Sequence, residues 1–164
     1  PEAPSRVQPA TDPAMDGVKN EARDSALFYL AKIDSATASP SDLQLAMPHL
    51  IAADSLVKSS PKYLMQSGLV LLSGEREALY GVNYLIALTR KYPEHAYAPE
   101  ALMQLALFFD NRLGDTEKAN TFLSSLINRY PQHELVPQAK QLLELNSQSA
   151  TGELETVKSW LKNK

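Results

Sequence analysis

The chain contains no cysteine, which excludes disulfide bonds, thiolate nucleophiles and zinc–sulfur sites. Glycine is also scarce, with six residues in 164, and none belongs to a glycine-rich loop of the kind that cradles phosphate groups. No apolar run reaches the roughly 18–20 residues that a membrane-spanning helix needs. An HExxH metal motif and a nucleophile elbow are absent as well. We therefore expect no catalytic residue, no metal ligand and no cofactor, and we do not expect an enzyme.

A strong positive charge is also missing. Sixteen basic residues stand against nineteen acidic ones, which gives a formal net charge of −3. A nucleic-acid-binding surface would need clustered lysine and arginine, and contact with anionic lipid would need a basic amphipathic face. Neither pattern occurs, so the expected partner is a protein or a peptide rather than nucleic acid.

Proline is concentrated at the start of the chain, where four of the eleven prolines fall within the first thirteen residues. The residues between them are mostly alanine, glutamine, serine and threonine, and such a segment cannot bury enough apolar surface to become ordered. Residues 1–18 are therefore predicted to form a disordered, extended linker. Two interpretations remain open: a tether that holds the domain away from an anchor, or a frayed chain end.

A repeated turn organises the rest of the chain. The segment "YPEHAYAPEA" at residues 92–101 returns as "YPQHELVPQA" at residues 130–139, which is 38 positions downstream. Pro61, Pro99 and Pro137 have the same spacing, and each is expected to lie in the first turn of a helix, where its missing N–H is not needed. The proline that follows each tyrosine is expected to end the preceding helix.

Apolar residues between these turns recur with helical spacing. Small residues fall at matching positions where helices should cross closely, namely Gly68, Gly81, Ala106 and Ala119. One hairpin cannot bury its apolar face alone, so neighbouring hairpins are expected to stack. The predicted fold is an all-α solenoid of about four helical hairpins, at residues 19–60, 61–98, 99–136 and 137–164.

The third unit, "EALMQLALFFDNRLGDTEKANTFLSSLINRYP" at residues 100–131, resembles the tetratricopeptide repeat, or TPR. Ala106 stands at the small position of the first helix and Pro131 at the closing proline. The sequence departs from the family in its period of 38 instead of about 34, and in having Leu64 and Leu102 where an aromatic residue is usual. The resemblance implies a right-handed superhelix that acts as a non-enzymatic protein-binding scaffold.

The phrase "RKYPEHAYAPEA" at residues 90–101 is similar to the turns of a narrower group, the bacterial envelope repeat proteins that work with outer-membrane assembly or the Tol-Pal system. This resemblance implies a periplasmic location. It also allows a lipid anchor upstream of the chain, which would tether the protein to the outer membrane. A cytoplasmic location is the alternative.

In TPR architecture the first helix of each hairpin lines the concave surface. With the helical phase set from Gly68 and Ala106, we predict a partner-binding groove that contains Lys62, Met65, Leu69, Leu72, Glu100, Met103, Leu107, Asp110, Asn111, Gln138 and Gln141. Methionine suits such a surface because it is flexible and polarizable. The alternative is that these residues are core, since an error of one residue turns a helical side chain by about 100°.

Two hypotheses for function follow from this pattern. The first is a scaffold that binds a partner segment along the groove. The second is self-association into a homodimer through the exposed surface of an end repeat. His95 and His133, which recur in register, are expected to make local polar contacts in their turns rather than to bind a metal.

Overall fold

A computed structural model describes the backbone of residues 13–162 and the side chains of residues 17–148 and 162. Within these residues the chain forms eight helices and no strands, so the predicted all-α class is confirmed. The helices are α1 (Pro13–Asp34), α2 (Pro40–Ala52), α3 (Asp54–Val57), α4 (Pro61–Ser73), α5 (Ala78–Lys91), α6 (Tyr97–Asn111), α7 (Thr116–Arg129) and α8 (Val136–Lys162).

The prolines of the repeated turns mark helix boundaries as expected. Pro61 is the first residue of α4, and Pro99 and Pro137 lie in the first turns of α6 and α8. Helices α5 and α7 end two residues before Pro93 and Pro131. Because proline lacks a backbone N–H, it fits the start of a helix better than its interior, although Pro48 lies inside α2.

Consecutive helices pair into hairpins, with α1 against α2, α4 against α5 and α6 against α7. Each hairpin then packs against the next, through α2 and α4, α5 and α6, and α7 and α8. A buried hydrogen bond joins the first two hairpins, since the Tyr84 hydroxyl donates to the Leu50 carbonyl at 3.2 Å. Burial raises the pKa of this tyrosine. The arrangement is the α-solenoid that the 38-residue period predicted.

Glycine allows the closest helix crossing, between α4 and α5. A Cβ atom on Gly81 would lie 2.7 Å from the Gly68 carbonyl oxygen and 2.7 Å from the Leu72 backbone nitrogen. At the equivalent crossing of α6 and α7, Ala106 and Ala119 are 1% and 0% exposed. The predicted small residues therefore do lie where the helices cross.

The predicted fourth hairpin, residues 137–164, is wrong. A single continuous helix, α8, runs from Val136 to Lys162 in its place. Glu144 occupies the position that is Ala106 one repeat earlier, and both Glu144 and the nearby Lys140 are exposed. These two exposed charges disfavour burial of this part of α8 against a second helix, although Leu145 beside Glu144 is 51% exposed.

The predicted linker, residues 1–18, is too long at its C-terminal end. Helix α1 begins at Pro13, so residues 13–18 are helical rather than extended. Proline is well suited to this position because its fixed backbone angle is already helical. Residues 1–12 lie outside the described part of the chain, and the linker there stays a prediction.

The turn after α1 requires a left-handed backbone at a residue that is not glycine. The Thr37 N–H donates to the Lys32 carbonyl at 3.0 Å and the Ala36 N–H donates to the Ile33 carbonyl at 3.1 Å, which is the hydrogen-bond pattern of a Schellman motif. Ala36 has a φ of 55°. An alanine Cβ is strained in this region, whereas glycine is not.

We expect Ala36→Gly to raise the free energy of unfolding by about 1 kcal/mol, because it removes this strain while keeping the turn. Urea denaturation followed by circular dichroism measures the change. Ala31→Gly makes the same chemical change at an exposed position inside α1 and should lower the free energy of unfolding by about 1 kcal/mol. Equal destabilisation by both substitutions would contradict the prediction.

The start of α2 is held by charge as well as by hydrogen bonds. Ser39 caps the helix and exchanges hydrogen bonds with Asp42, and the Lys32 ammonium lies 2.7 Å from the Asp42 carboxylate. The Lys32 hydrogen bond, aided by those from Ser39, lowers the pKa of Asp42 to about 2. These contacts fix the angle at which α2 leaves α1.

Candidate functional site

Burial divides the predicted groove residues into two sets. Met65, Leu72 and Met103 are only 7%, 8% and 3% exposed, so the prediction that they form an exposed strip is wrong. Tyr97 packs against the core cluster that contains Met65, and Leu135 packs against the cluster that contains Met103. Both residues stand two positions before a repeated proline: Tyr97 is the first residue of α6, and Leu135 lies just before α8.

The other predicted groove residues are exposed or half-buried. Leu69 is 39% exposed, whereas the adjacent residues Gly68 and Val70 on the same helix are buried. The Thr116 hydroxyl donates to the Asp110 carboxylate at 3.3 Å, so Asp110 already has a partner within its own hairpin. A binding role stays a prediction for this set, which comprises Lys62, Leu69, Glu100, Leu107, Asp110, Asn111, Gln138 and Gln141.

A cleft of about 280 Å³ lies between α6 and the start of α8, and we call it the α6–α8 cleft. Its polar rim consists of glutamates and glutamines, and its apolar part of leucines and one methionine. The lining residues are Glu100, Met103, Gln104, Leu107, Glu134, Leu135 and Gln138. Four of them, Glu100, Met103, Leu107 and Gln138, belong to the predicted groove, so the structure brings these four together.

A similar cleft of about 230 Å³ separates α1 from α4 and includes Lys62. The Lys62 ammonium lies 2.6 Å from the Asp34 carboxylate, and this hydrogen bond raises the pKa of Lys62. Gln66 Nε2 donates to the same carboxylate at 3.4 Å, while Gln66 Oε1 is enclosed and has no hydrogen-bond partner among the described residues. Gln66 and Gln104 are 38 positions apart, so equivalent glutamines of two successive repeats line the two clefts.

The repeated histidines act within their turns, as predicted. Nδ1 of His95 accepts a hydrogen bond from the Tyr97 N–H at 3.2 Å. Nδ1 of His133 accepts one from the Leu135 N–H, also at 3.2 Å. Each histidine therefore orients a residue that packs against a core cluster of the preceding hairpin.

Sequence reasoning missed the role of the repeated tyrosines. The Tyr130 hydroxyl donates to the Pro93 carbonyl at 2.6 Å, and the Tyr92 hydroxyl donates to the Ser59 carbonyl at 3.2 Å. Each tyrosine thus ties its own turn to the turn one hairpin earlier. The signal was the recurrence of tyrosine beside the repeated proline, which also fits an apolar helix stripe and so did not reveal the hydrogen bond.

Comparison with known proteins agrees with this geometry. The family model described as "Tetratricopeptide repeat" matches residues 100–133, which comprise most of α6, all of α7 and the turn after it. This match shows that residues 100–133 are similar to a tetratricopeptide repeat, which supports a TPR-like fold for the array. No curated protein and no solved structure matches it. Arrays of TPR-like hairpins generally mediate protein–protein interactions through their extended concave surfaces.

Metal-binding groups and membrane-spanning helices do not occur in the part of the chain that the structure describes. Among the described residues, no three or more histidine, aspartate or glutamate side chains are grouped so that they could hold a metal ion. None of the described helices combines the length and the apolar character needed to cross a bilayer.

Proposed function

We propose that the chain is a non-enzymatic scaffold that binds a segment of another protein along the face formed by α4, α6 and α8. The observation that carries the proposal is the exposure of equivalent apolar residues on successive first helices. Leu69 is 39% exposed on α4, and Leu107, one repeat later on α6, is half-buried at the α6–α8 cleft. A repeated apolar contact surface of this kind is suited to a partner chain.

The partner would bury apolar side chains against Leu69 and Leu107. Burying one such side chain contributes about 1.5–3 kcal/mol. Polar residues beside them, Glu100 and Asp110 on α6 and Lys62 on α4, would set the register of the partner along the groove. The scaffold itself needs little rearrangement, because the hydrogen bonds between turns already fix the positions of the hairpins.

We expect the combined substitution Leu69→Glu and Leu107→Glu to weaken binding at least tenfold, because it places charge where apolar groups should be buried. The probes are peptides selected against the unaltered protein from a random-peptide library on phage. Fluorescence anisotropy measures their affinity, and circular dichroism checks that the fold is retained.

Leu79→Glu is the matched control, since Leu79 is 69% exposed and lies on α5, the second helix of its hairpin. It should leave peptide affinity unchanged. Selection of no binding peptide, or peptides that bind the groove variant as tightly as the unaltered protein, would contradict the proposed function.

We also propose that the protein works in the bacterial cell envelope, in the periplasm and tethered to the outer membrane by a lipid anchor upstream of Pro1. The support is the similarity of residues 90–101 to the turns of envelope repeat proteins. A signal peptide with a lipobox cysteine in the gene would support both parts. Recovery of the native protein in the cytoplasmic fraction would contradict them.

Self-association is a second candidate function, favoured by the surface of the first hairpin. Phe28 on α1 and Leu45 on α2 are 56% and 58% exposed, and Leu145 on α8, at the other end of the array, is 51% exposed. An apolar end can pair with a second copy of the chain. Dimers that form with rising concentration in analytical ultracentrifugation would support this function over the scaffold.

A further inference from the structure

The charge at the rim of the α6–α8 cleft is negative and unpaired. Glu100 lies on α6 and Glu134 lies in the turn before α8, so the two carboxylates approach the cleft from different elements. Neither forms an ion pair with any side chain that the structure describes. The equivalent of Glu100 on α4 is Lys62, whose charge is already matched by Asp34. The unpaired charges that this face offers to a partner are therefore carboxylates.

Apolar groups lie below this rim. Met103 is 3% exposed at the floor, and Leu107 and Leu135 are half-buried at the sides. The two leucines can still lose accessible surface when an apolar side chain enters between them, and this burial is favourable. The cleft thus combines an apolar base with an acidic edge.

Carboxamide groups on the same face match the main chain of an extended peptide. A glutamine side chain has two N–H donors and a carbonyl acceptor, which can pair with a peptide C=O and N–H. Gln104 and Gln138 both line the α6–α8 cleft. A helical partner would leave these amides unmatched, because its own backbone groups are already paired.

We infer that the α6–α8 cleft binds an extended peptide segment that carries an arginine or lysine next to an apolar residue. The basic group lies between Glu100 and Glu134, the apolar side chain contacts Leu107, and the main chain pairs with Gln104. This inference rests on the proposed function and names the chemistry of its partner.

Peptides selected from the random library test the inference directly. We expect them to be enriched in arginine and lysine relative to the unselected library. A selected peptide should bind about fivefold more tightly than its copy in which glutamine replaces the basic residue, and the copy with glutamate should bind more weakly still. This preference should decrease as salt is added, because exposed charges are screened.

Substitutions in the protein connect the preference to its residues. Glu100→Gln combined with Glu134→Gln should abolish the preference for the basic peptide while leaving the glutamine copy bound as before. Glu117→Gln is the control, because Glu117, like Glu100, is an acidic residue in the first turn of its helix, but it lies on α7 away from the cleft. Gln104→Met should lower the binding affinity of all three peptides (basic, glutamine and glutamate) by the same factor.

The outcomes separate the inference from the proposed function. Selected peptides without basic enrichment, which nevertheless lose affinity in the Leu69→Glu and Leu107→Glu variant, would overturn the inference and leave the scaffold function standing. A basic preference that survives Glu100→Gln with Glu134→Gln would overturn it as well. Peptides that bind regardless of the leucine substitutions would overturn the proposed function and the inference together.

Discussion

The Gly81→Ala substitution is expected to lower the free energy of unfolding by about 3 kcal/mol, at the upper end of the range for overpacking a core. The added methyl group would lie 2.7 Å from both the Gly68 carbonyl oxygen and the Leu72 nitrogen. Both contacts are with backbone atoms, which cannot rotate away as a side chain can. Relief requires α4 and α5 to separate, and that separation loosens the core around Leu85.

Urea denaturation of the purified protein measures this loss. Gly17→Ala is the matched control, because Gly17 lies in α1 and a Cβ atom there would meet nothing within 4 Å. The control should raise the free energy of unfolding by about 0.5–1 kcal/mol through better helix propensity. If Gly81→Ala were as stable as the control, the close crossing of α4 and α5 would be disproved.

The second large effect is expected at Leu85, which is fully buried against Gly68. Leu85→Ala should cost about 3 kcal/mol, from lost burial and from the cavity that remains. Gly68→Ala should cost about 2 kcal/mol, because its Cβ atom would lie 2.5 Å from Leu85 Cδ2. The double variant should lose about 1–2 kcal/mol less than the sum of the two, because the new methyl group occupies space that the leucine side chain leaves.

A double-mutant cycle from urea denaturation gives this coupling energy. Leu123→Ala is the control partner for Gly68→Ala. Leu123 is the equivalent of Leu85 one repeat later, equally buried, but in a different core cluster. The effects of this pair should be additive within about 0.5 kcal/mol. Additivity at Leu85, or equal coupling at both leucines, would show that Gly68 and Leu85 do not share the space that the structure assigns to them.

Most of the fold could be predicted from local sequence signals that recur in each repeat. Pro61, Pro99 and Pro137 mark helix starts because their chemistry permits little else, and the period of 38 residues relates one hairpin to the next. The fourth unit shows the limit of this reasoning. Its "TGELET" at residues 151–156 resembles the earlier hairpin turn "LGDTEK" at residues 113–118, yet α8 continues through it to Lys162. The charge of Glu144 at the position of Ala106 disfavours burial against a return helix.

The candidate site was predicted only in part, because exposure depends on residues from the next hairpin. The helical phase predicted for α6 correctly placed Glu100 and Leu107 at a cleft. It also turned Met103 the same way, and nothing within α6 shows that Leu135 packs against the cluster containing that methionine. Glu134 was missed because it lies in the connection and not on a first helix. The acidic character of the cleft became visible only when the two elements were placed together.

Two exposed charged residues on α8 limit the direction in which such an array can grow. A duplicated hairpin inserted before α8 would find apolar surfaces on both sides and could join the row. The same hairpin appended beside Glu144 and Lys140 would have to remove two charges from water without partners, which is costly. Gains of length by gene duplication, or by engineered fusion, are therefore expected upstream of α8.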